Sequence, residues 1–268
     1  MPEVSVVIPC YRCAATVGRA VRSALGQSAP PAEIFLVDDA SGDGTRDALA
    51  ELQREHGATL VRIIDQPENR GPASARNAGW NAARGRMIAF LDADDLWHAR
   101  KLEIQLRFMV AHPEFALTGH LSRIGASGDT QPSDVDDVPT FIEVGLRSLL
   151  LGRRFSTTSV MLRRDIAQRF SDGERYAEDY LLWLQVAAAG HRLAQIEAPL
   201  ATRFEPMFGG AGLSGHLWPM EKAELRVYRR MHREGAFGAA ALGAVTAWSL
   251  AKYARRVALV GMGRARAT

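Results

Sequence analysis

Three carboxylates stand within four residues at Asp92-Ala93-Asp94-Asp95. Held together, they repel one another unless protons or a cation neutralise them. Hard oxygen donors of this kind suit Mg²⁺ or Mn²⁺. Mg²⁺ commonly needs only one or two carboxylates when substrate phosphates supply the rest. Capping of the next helix accounts for Asp95 alone. A calcium loop would set Glu103 twelfth from Asp92, but Trp97 then falls at the sixth position, where glycine is required. The chemistry expected here is the holding of a metal and a diphosphate. A second acidic pair opens the stretch Asp38-Asp39-Ala40-Ser41-Gly42-Asp43-Gly44-Thr45. A carboxylate there can accept hydrogen bonds from a base N–H or a ribose hydroxyl. Alternation along an extended chain turns only one of the two toward a ligand. A third segment, Asn69 to Asn77, runs through Gly71-Pro72 into a helix whose first turns carry Arg76. An arginine there can grip a diphosphate with two N–H bonds; a solvated surface arginine would read the same.

The elements that must position these groups alternate. Short apolar, β-branched runs predict strands at Val4–Ile8, Ile34–Val37, Leu60–Ile64, Met87–Leu91 and Phe115–Thr118. Amphipathic periodicity predicts helices at Thr16–Gln27, Thr45–Glu55, Ala73–Ala83 and Ala99–Ala111. Such alternation implies βαβ units and a mostly parallel sheet covered on both faces. Ligands of such sheets bind beyond the carboxyl ends of the strands. Pro9-Cys10-Tyr11, Asp38-Asp39 and the Asp92–Asp95 cluster all fall there. Beyond residue 120 the pattern loosens. Residues 125–139 read as an exposed loop, Ser156–Leu162 as a strand and Asp179–Ala189 as a helix. Residues 206–215 read as a Gly-rich loop, and Leu217–Arg233 and Gly238–Val260 as helices.

Composition bounds the rest. The chain has 268 residues, is 47% hydrophobic and carries a net charge of +3. It can bury a real core. The small net charge gives no case for a nucleic-acid partner. Two cysteines cannot build a disulfide framework. The N-terminus reads as structural rather than as a secretory signal, and no run of 18 apolar residues suggests a spanning helix. A cytoplasmic protein is expected, with contact at the inner face of the membrane left open.

The motifs Val4-Ser-Val-Val-Ile-Pro-Cys-Tyr11, Val37 to Thr45, Asn69 to Asn77 with Gly79, and Phe90-Leu-Asp-Ala-Asp-Asp95 together resemble the family 2 glycosyltransferases. The resemblance implies a GT-A type, Rossmann-like nucleotide-binding fold with a helical C-terminal extension. It implies a nucleotide-diphosphate sugar donor, with UDP favoured, a saccharide or glycolipid acceptor, and inversion at the anomeric carbon. It assigns Pro9, Tyr11, Asp39, Arg76, Asp92 and Asp94 to the nucleotide, and Asp94 and Asp95 to Mn²⁺ or Mg²⁺. Glu178-Asp179 looks like the family's Glu-Asp motif, with Asp179 as general base; on its own the pair reads as acids at a helix N-terminus. On this reading residues 1–120 bind the donor, 121–205 carry acceptor contacts and the base, and 206–268 form the Gly-rich loop and helical extension. Glu178, His216 and Trp218 are candidate acceptor or loop contacts.

Two departures stand out. The family often has Asn after the tyrosine, where this chain has Arg12. The Gln-X-X-Arg-Trp motif and the membrane helices of processive synthases are absent, which points to single addition. Polysaccharide or glycolipid biosynthesis follows by analogy. The rivals are a nucleotidyltransferase, which lacks support because no Gly-rich, basic triphosphate loop follows strand one, and a non-catalytic nucleotide-sugar-binding scaffold. Cys10-Tyr11-Arg12-Cys13 has redox-motif spacing, but a redox protein would not need the acidic clusters. Gly210 to Gly215 matches G-x-G-x-x-G without a βαβ unit around it. The segment 236–262, apolar with basic flanks, is a candidate for membrane contact, and it can equally pack on its own domain or on a second subunit as a homodimer.

Overall fold

The computed structural model describes residues 3–125, 135–173, 176–204 and 217–265. Its first part alternates as expected: β1 (Val4–Cys10), α1 (Val17–Leu25), β2 (Glu33–Asp38), α2 (Thr45–His56), β3 (Val61–Asp65), α3 (Pro72–Ala82) and β4 (Met87–Phe90). Then come β5 (Leu96–Trp97), α4 (Lys101–Ala111), β6 (Phe115–Ile124), β7 (Phe141–Glu143) and α5 (Leu146–Leu151). A 3₁₀ turn (Thr157–Ser159), β8 (Met161–Arg163), α6 (Glu178–Ala188), β9 (Arg192–Arg203), α7 (Leu217–Arg233) and α8 (Ala239–Ala265) complete it.

The strands form one sheet in the order β3-β2-β1-β4-β8-β6-β9-β5, with β7 paired to β9. The first four are parallel to one another. Beyond β4 the sheet is mixed, because β8 enters antiparallel between β4 and β6. Parallel strands need both faces covered. One apolar layer, under α1, α2 and α4, takes Val17, Ala20, Val21 and Ala24 from α1, the spacing of a single helix face. The other, under α3 and α6, stacks Trp80, Phe90, Phe170 and Trp183 edge to face.

Register sets the site. Cys10 lies opposite Asp38, and Val7 opposite Phe90, so three strands end side by side with Tyr11, Asp39 and Asp92 just past them. Close approach of α3 fixes its distance from the sheet. A Cβ on Gly79 would collide with the Val7 side chain, so only glycine fits there. The strand expected at Ser156–Leu162 is instead a 3₁₀ turn followed by the short β8. Among the described residues no helix is long and apolar enough to cross a membrane.

Candidate active site

A cleft of about 700 Å³ lies over the carboxyl ends of β1, β2 and β4. Pro9, Tyr11, Asp39, Arg76, Asp92, Asp94 and Asp95 all line it. Asp38 and Asp39 divide as alternation requires. Asp38 accepts from Ser41 N–H and Ser41 Oγ and serves the turn. Asp39, almost wholly buried, accepts from Arg70 N–H (2.9 Å) and Gly71 N–H (2.8 Å). Gly71 enters α3 at φ +86°, a left-handed conformation that glycine adopts without strain. The partial positive charge at the start of α3 thus orients Asp39. Arg12 also takes a left-handed φ of 50° and stacks on the half-exposed Tyr11. Asparagine tolerates that region better than arginine, which gives the departure at this position a local backbone meaning. Cys10 and Cys13 are buried free thiols on the same wall.

The acidic cluster is three different environments. Asp92 accepts from Arg76 Nη2 at 2.8 Å, and the same guanidinium donates through Nη1 to Glu178 Oε1 at 2.9 Å. Burial works against the Arg76 charge, but Asp92 and Glu178 outweigh it and hold the guanidinium protonated. Both forks of Arg76 are therefore spent on carboxylates. In this arrangement Arg76 ties the end of β4 to the start of α6, and it lines the cleft with its Nε unpartnered. Asp94 is exposed, and its backbone carbonyl accepts from Arg19 Nη2 at 2.7 Å. Asp95 is buried, and its carboxyl is lifted well above the usual range by loss of water, then by Asp92 and Asp94, against the pull of Arg203.

Among the described residues no three His, Cys, Asp or Glu side chains converge on one point. A divalent ion held with a diphosphate does not require three. The donor chemistry fits such an ion: Asp94 and Asp95 offer hard carboxylate oxygens, and the Asp95 carboxyl lies close enough to feel the charges of Asp92 and Asp94.

A second cleft of about 550 Å³ adjoins the first and shares Arg76, Asp92, Glu178 and Arg203 with it. Asp179 lines this one, in the first turn of α6. Its Oδ2 accepts from Thr157 Oγ1 at 3.2 Å, and its Oδ1 from the N–H of Tyr180 at 2.7 Å. Glu178 is buried between Arg76 and Asp179. Burial, and then the Asp179 charge, push its carboxyl up, and Arg76 opposes them. Arg153 stands beside Asp179. Burial lowers its basicity, but Asp179 and Glu224 outweigh that and keep it charged.

Sequence reasoning missed Arg203, Thr157 and Arg153. Arg203 ends β9, a strand the apolar pattern did not signal, and stands where the two clefts meet. Trp218 lines neither cleft. It sits at the start of α7 with its ring 5.5 Å from that of Tyr253. His216 and the Gly-rich stretch 210–215 lie outside the described residues.

This pair of clefts, one over parallel strand ends and one around a helix-start carboxylate, can be set beside known proteins. The sequence model of glycosyl transferase family 2 matches residues 5–170. The chain belongs to glycosyl transferase family 2. It is 31% identical to the putative teichuronic acid biosynthesis glycosyltransferase TuaG of Bacillus subtilis, over 87% of this chain and 89% of that one. It is 30% identical to the UDP-Glc:alpha-D-GlcNAc-diphosphoundecaprenol beta-1,3-glucosyltransferase WfgD of Escherichia coli, over 68% of this chain and 69% of that one. Among solved structures it resembles S. aureus TarS 1-349 in complex with UDP-GlcNAc, with TM-score 0.69, 20% identity and coverage of 92% and 71%. The mannosyltransferase PcManGT of Pyrobaculum calidifontis, in complex with GDP-Man and Mn²⁺, gives TM-score 0.65, 20% identity and coverage of 99% and 80%. At these identities the structures speak for the GT-A fold. The chain is a glycosyltransferase with an α/β nucleotide-binding architecture and a helical C-terminal part.

Proposed function

We propose that this glycosyltransferase moves a sugar from a nucleotide-diphosphate donor, UDP-sugar favoured, to one acceptor hydroxyl with inversion, adding a single residue. The observation that carries the reading is the junction of the two clefts at Arg76, Asp92, Glu178 and Arg203, with Asp179 on the far side from Asp39. Asp39 accepts a base N–H, with Pro9 and Tyr11 along the nucleotide. Asp92, fixed by Arg76, faces the ribose and diphosphate. Asp179 takes the proton of the acceptor hydroxyl as it attacks, the role single displacement needs. Thr157 and the Tyr180 N–H hold that carboxylate in place. Arg203 places positive charge where the diphosphate departs. A Mn²⁺ or Mg²⁺ ion, held by Asp94 and Asp95, would neutralise the leaving diphosphate. The relatives' names support a saccharide or lipid-linked acceptor in surface polysaccharide assembly.

Asp179→Asn tests the reading. The variant keeps the volume and the Thr157 contact but cannot accept the proton. Nucleotide binding, read as a thermal shift with UDP and Mn²⁺, is expected to persist. Transfer to a lipid-linked saccharide is expected to fall by about 10²–10⁴-fold. Turnover at the wild-type rate would remove Asp179 from the mechanism. Wild-type protein that binds UDP but never transfers would favour the scaffold reading.

A further inference from the structure

The buried side of α8 changes character along its length. Val245, with Leu242 beside it, packs on the core, but from Ser249 onward that side is polar: Ser249 donates to Glu221 and Glu224 of α7, Lys252 pairs with Glu224 at 3.1 Å, and Arg256 with Glu221 at 2.7 Å. Its outward side carries Ala247, Trp248, Leu250, Ala251, Ala254 and Val257, with Arg255 among them, all exposed. Amphipathic helices of water-surrounded proteins place these faces the other way round. A contiguous apolar face turned outward marks a surface that something apolar covers.

Charge says what covers it. Residues 217–258 contain three acids, Glu221, Glu224 and Glu234. Two of them are buried against α8, so the exposed side of α7 carries more cations than acids. Lys222, Arg226, Arg229 and Arg233, spaced four, three and four apart, form one exposed row along α7. Trp218 and Trp248 flank the patch, half exposed, the residue type that favours a boundary between apolar and wet phases. The indole N–H of Trp248 is already bonded to the Leu151 carbonyl at 2.9 Å, so its ring can enter an apolar phase without stranding a donor. Leu151, itself exposed, lies two residues before Arg153 of the second cleft.

We propose that the outward face of α8, with the cationic row of α7, docks on an anionic lipid bilayer. The helix lies along the surface rather than across it. Docking would set the mouth of the second cleft near the headgroups, where a lipid-borne acceptor presents its sugar; that consequence alone rests on the function proposed above.

Co-sedimentation of the full chain with phosphatidylcholine vesicles, with and without phosphatidylglycerol, tests the proposal. The wild type is expected to pellet with phosphatidylglycerol vesicles and to be released by high salt. Leu250→Glu with Val257→Glu is expected to abolish binding. Arg229→Glu with Arg233→Glu is expected to weaken it at least about fivefold for each cation. Circular dichroism and a UDP thermal shift confirm that each variant is folded and keeps its nucleotide cleft, so this test stands apart from that of the catalytic reading. Wild-type protein that stays in the supernatant, or variants that bind like the wild type, overturn the proposal. A dimer by analytical ultracentrifugation that Leu250→Glu with Val257→Glu dissociates would give the face to a second copy instead.

Discussion

Replacing Arg76 by methionine keeps much of the side chain's length and removes the guanidinium. Two carboxylates then lose their partner. Glu178 is nearly enclosed, and Asp92 is about one-third exposed, at 10% and 33% of their side chains. Breaking a buried pair from one side costs about 3–5 kcal/mol, because a charge is left uncompensated. Partial solvation of Asp92 brings the expected loss to the lower end, about 3 kcal/mol at pH 8. For a chain of this size that is a fall in Tm of about 6–12 °C. The loss depends on pH. Burial and Asp179 already raise the Glu178 carboxyl above its ordinary value of 4.5 in the folded protein, and without Arg76 it rises further. The unfolded chain releases that proton first, so between the two values it binds fewer protons than the native state. Stability then falls as pH rises. The deficit of Arg76→Met is therefore smallest below the wild-type folded value of Glu178, grows between that value and the higher one of the variant, and is complete above the latter. Urea titrations across pH 5–8 read this directly. Adding Glu178→Gln should recover part of the loss at pH 8, since a neutral amide carries no unpaired charge. A deficit below about 1 kcal/mol at pH 8, or one that does not change with pH, would refute the ion-pair account.

Arg203→Ala should weaken UDP binding and lower kcat together, while urea stability falls by no more than about 1 kcal/mol, because Arg203 is only partly buried and acts on Asp95 as a nearby charge. An unchanged kcat would take Arg203 away from the leaving group. Gly79→Ala should destabilise by about 1–3 kcal/mol through the collision with Val7, with a loss of nucleotide affinity as α3 moves off the sheet; an unshifted Tm would show that helix and sheet separate freely. Arg12→Asn should raise Tm by about 1–2 °C by easing a left-handed backbone, roughly 0.5 kcal/mol. A fall in Tm would mean that the Arg12–Tyr11 stack matters more than the backbone.

The donor half could be read from residues because its strands are short β-branched runs buried on both faces, and each ends in a change of residue type. Val4–Cys10 ends in Tyr11, Glu33–Asp38 in Asp39, and Met87–Phe90 in Asp92. The acceptor half could not be read in this way. The strand β9 is rich in alanine, contains Pro199 and pairs with β6 through register shifts, so neither period 2 nor β-branching announces it. Arg203 was lost with it. Arg76 was visible, but its partner Glu178 lies 102 residues away. Only the folded arrangement shows that its two forks are engaged. The helix α8 was legible as apolar with basic flanks, but which side faces in was decided by Val245 on the core and by the two buried glutamates of α7.

The strands β6 and β9 run parallel and finish together, Ile124 beside Arg203, with the Gly125 N–H bonded to the Arg203 carbonyl at 2.8 Å. Two long connections, from β6 to β7 and from β9 to α7, therefore leave the sheet from one shared anchor at the rim of the second cleft. The four parallel strands under the first cleft take no part in that anchor. To an engineer, or to natural recombination, the anchor is a splice point. Connections of different length can be exchanged there between relatives while the parallel strands keep their register; on the function proposed above, acceptor preference can then diversify faster than donor preference.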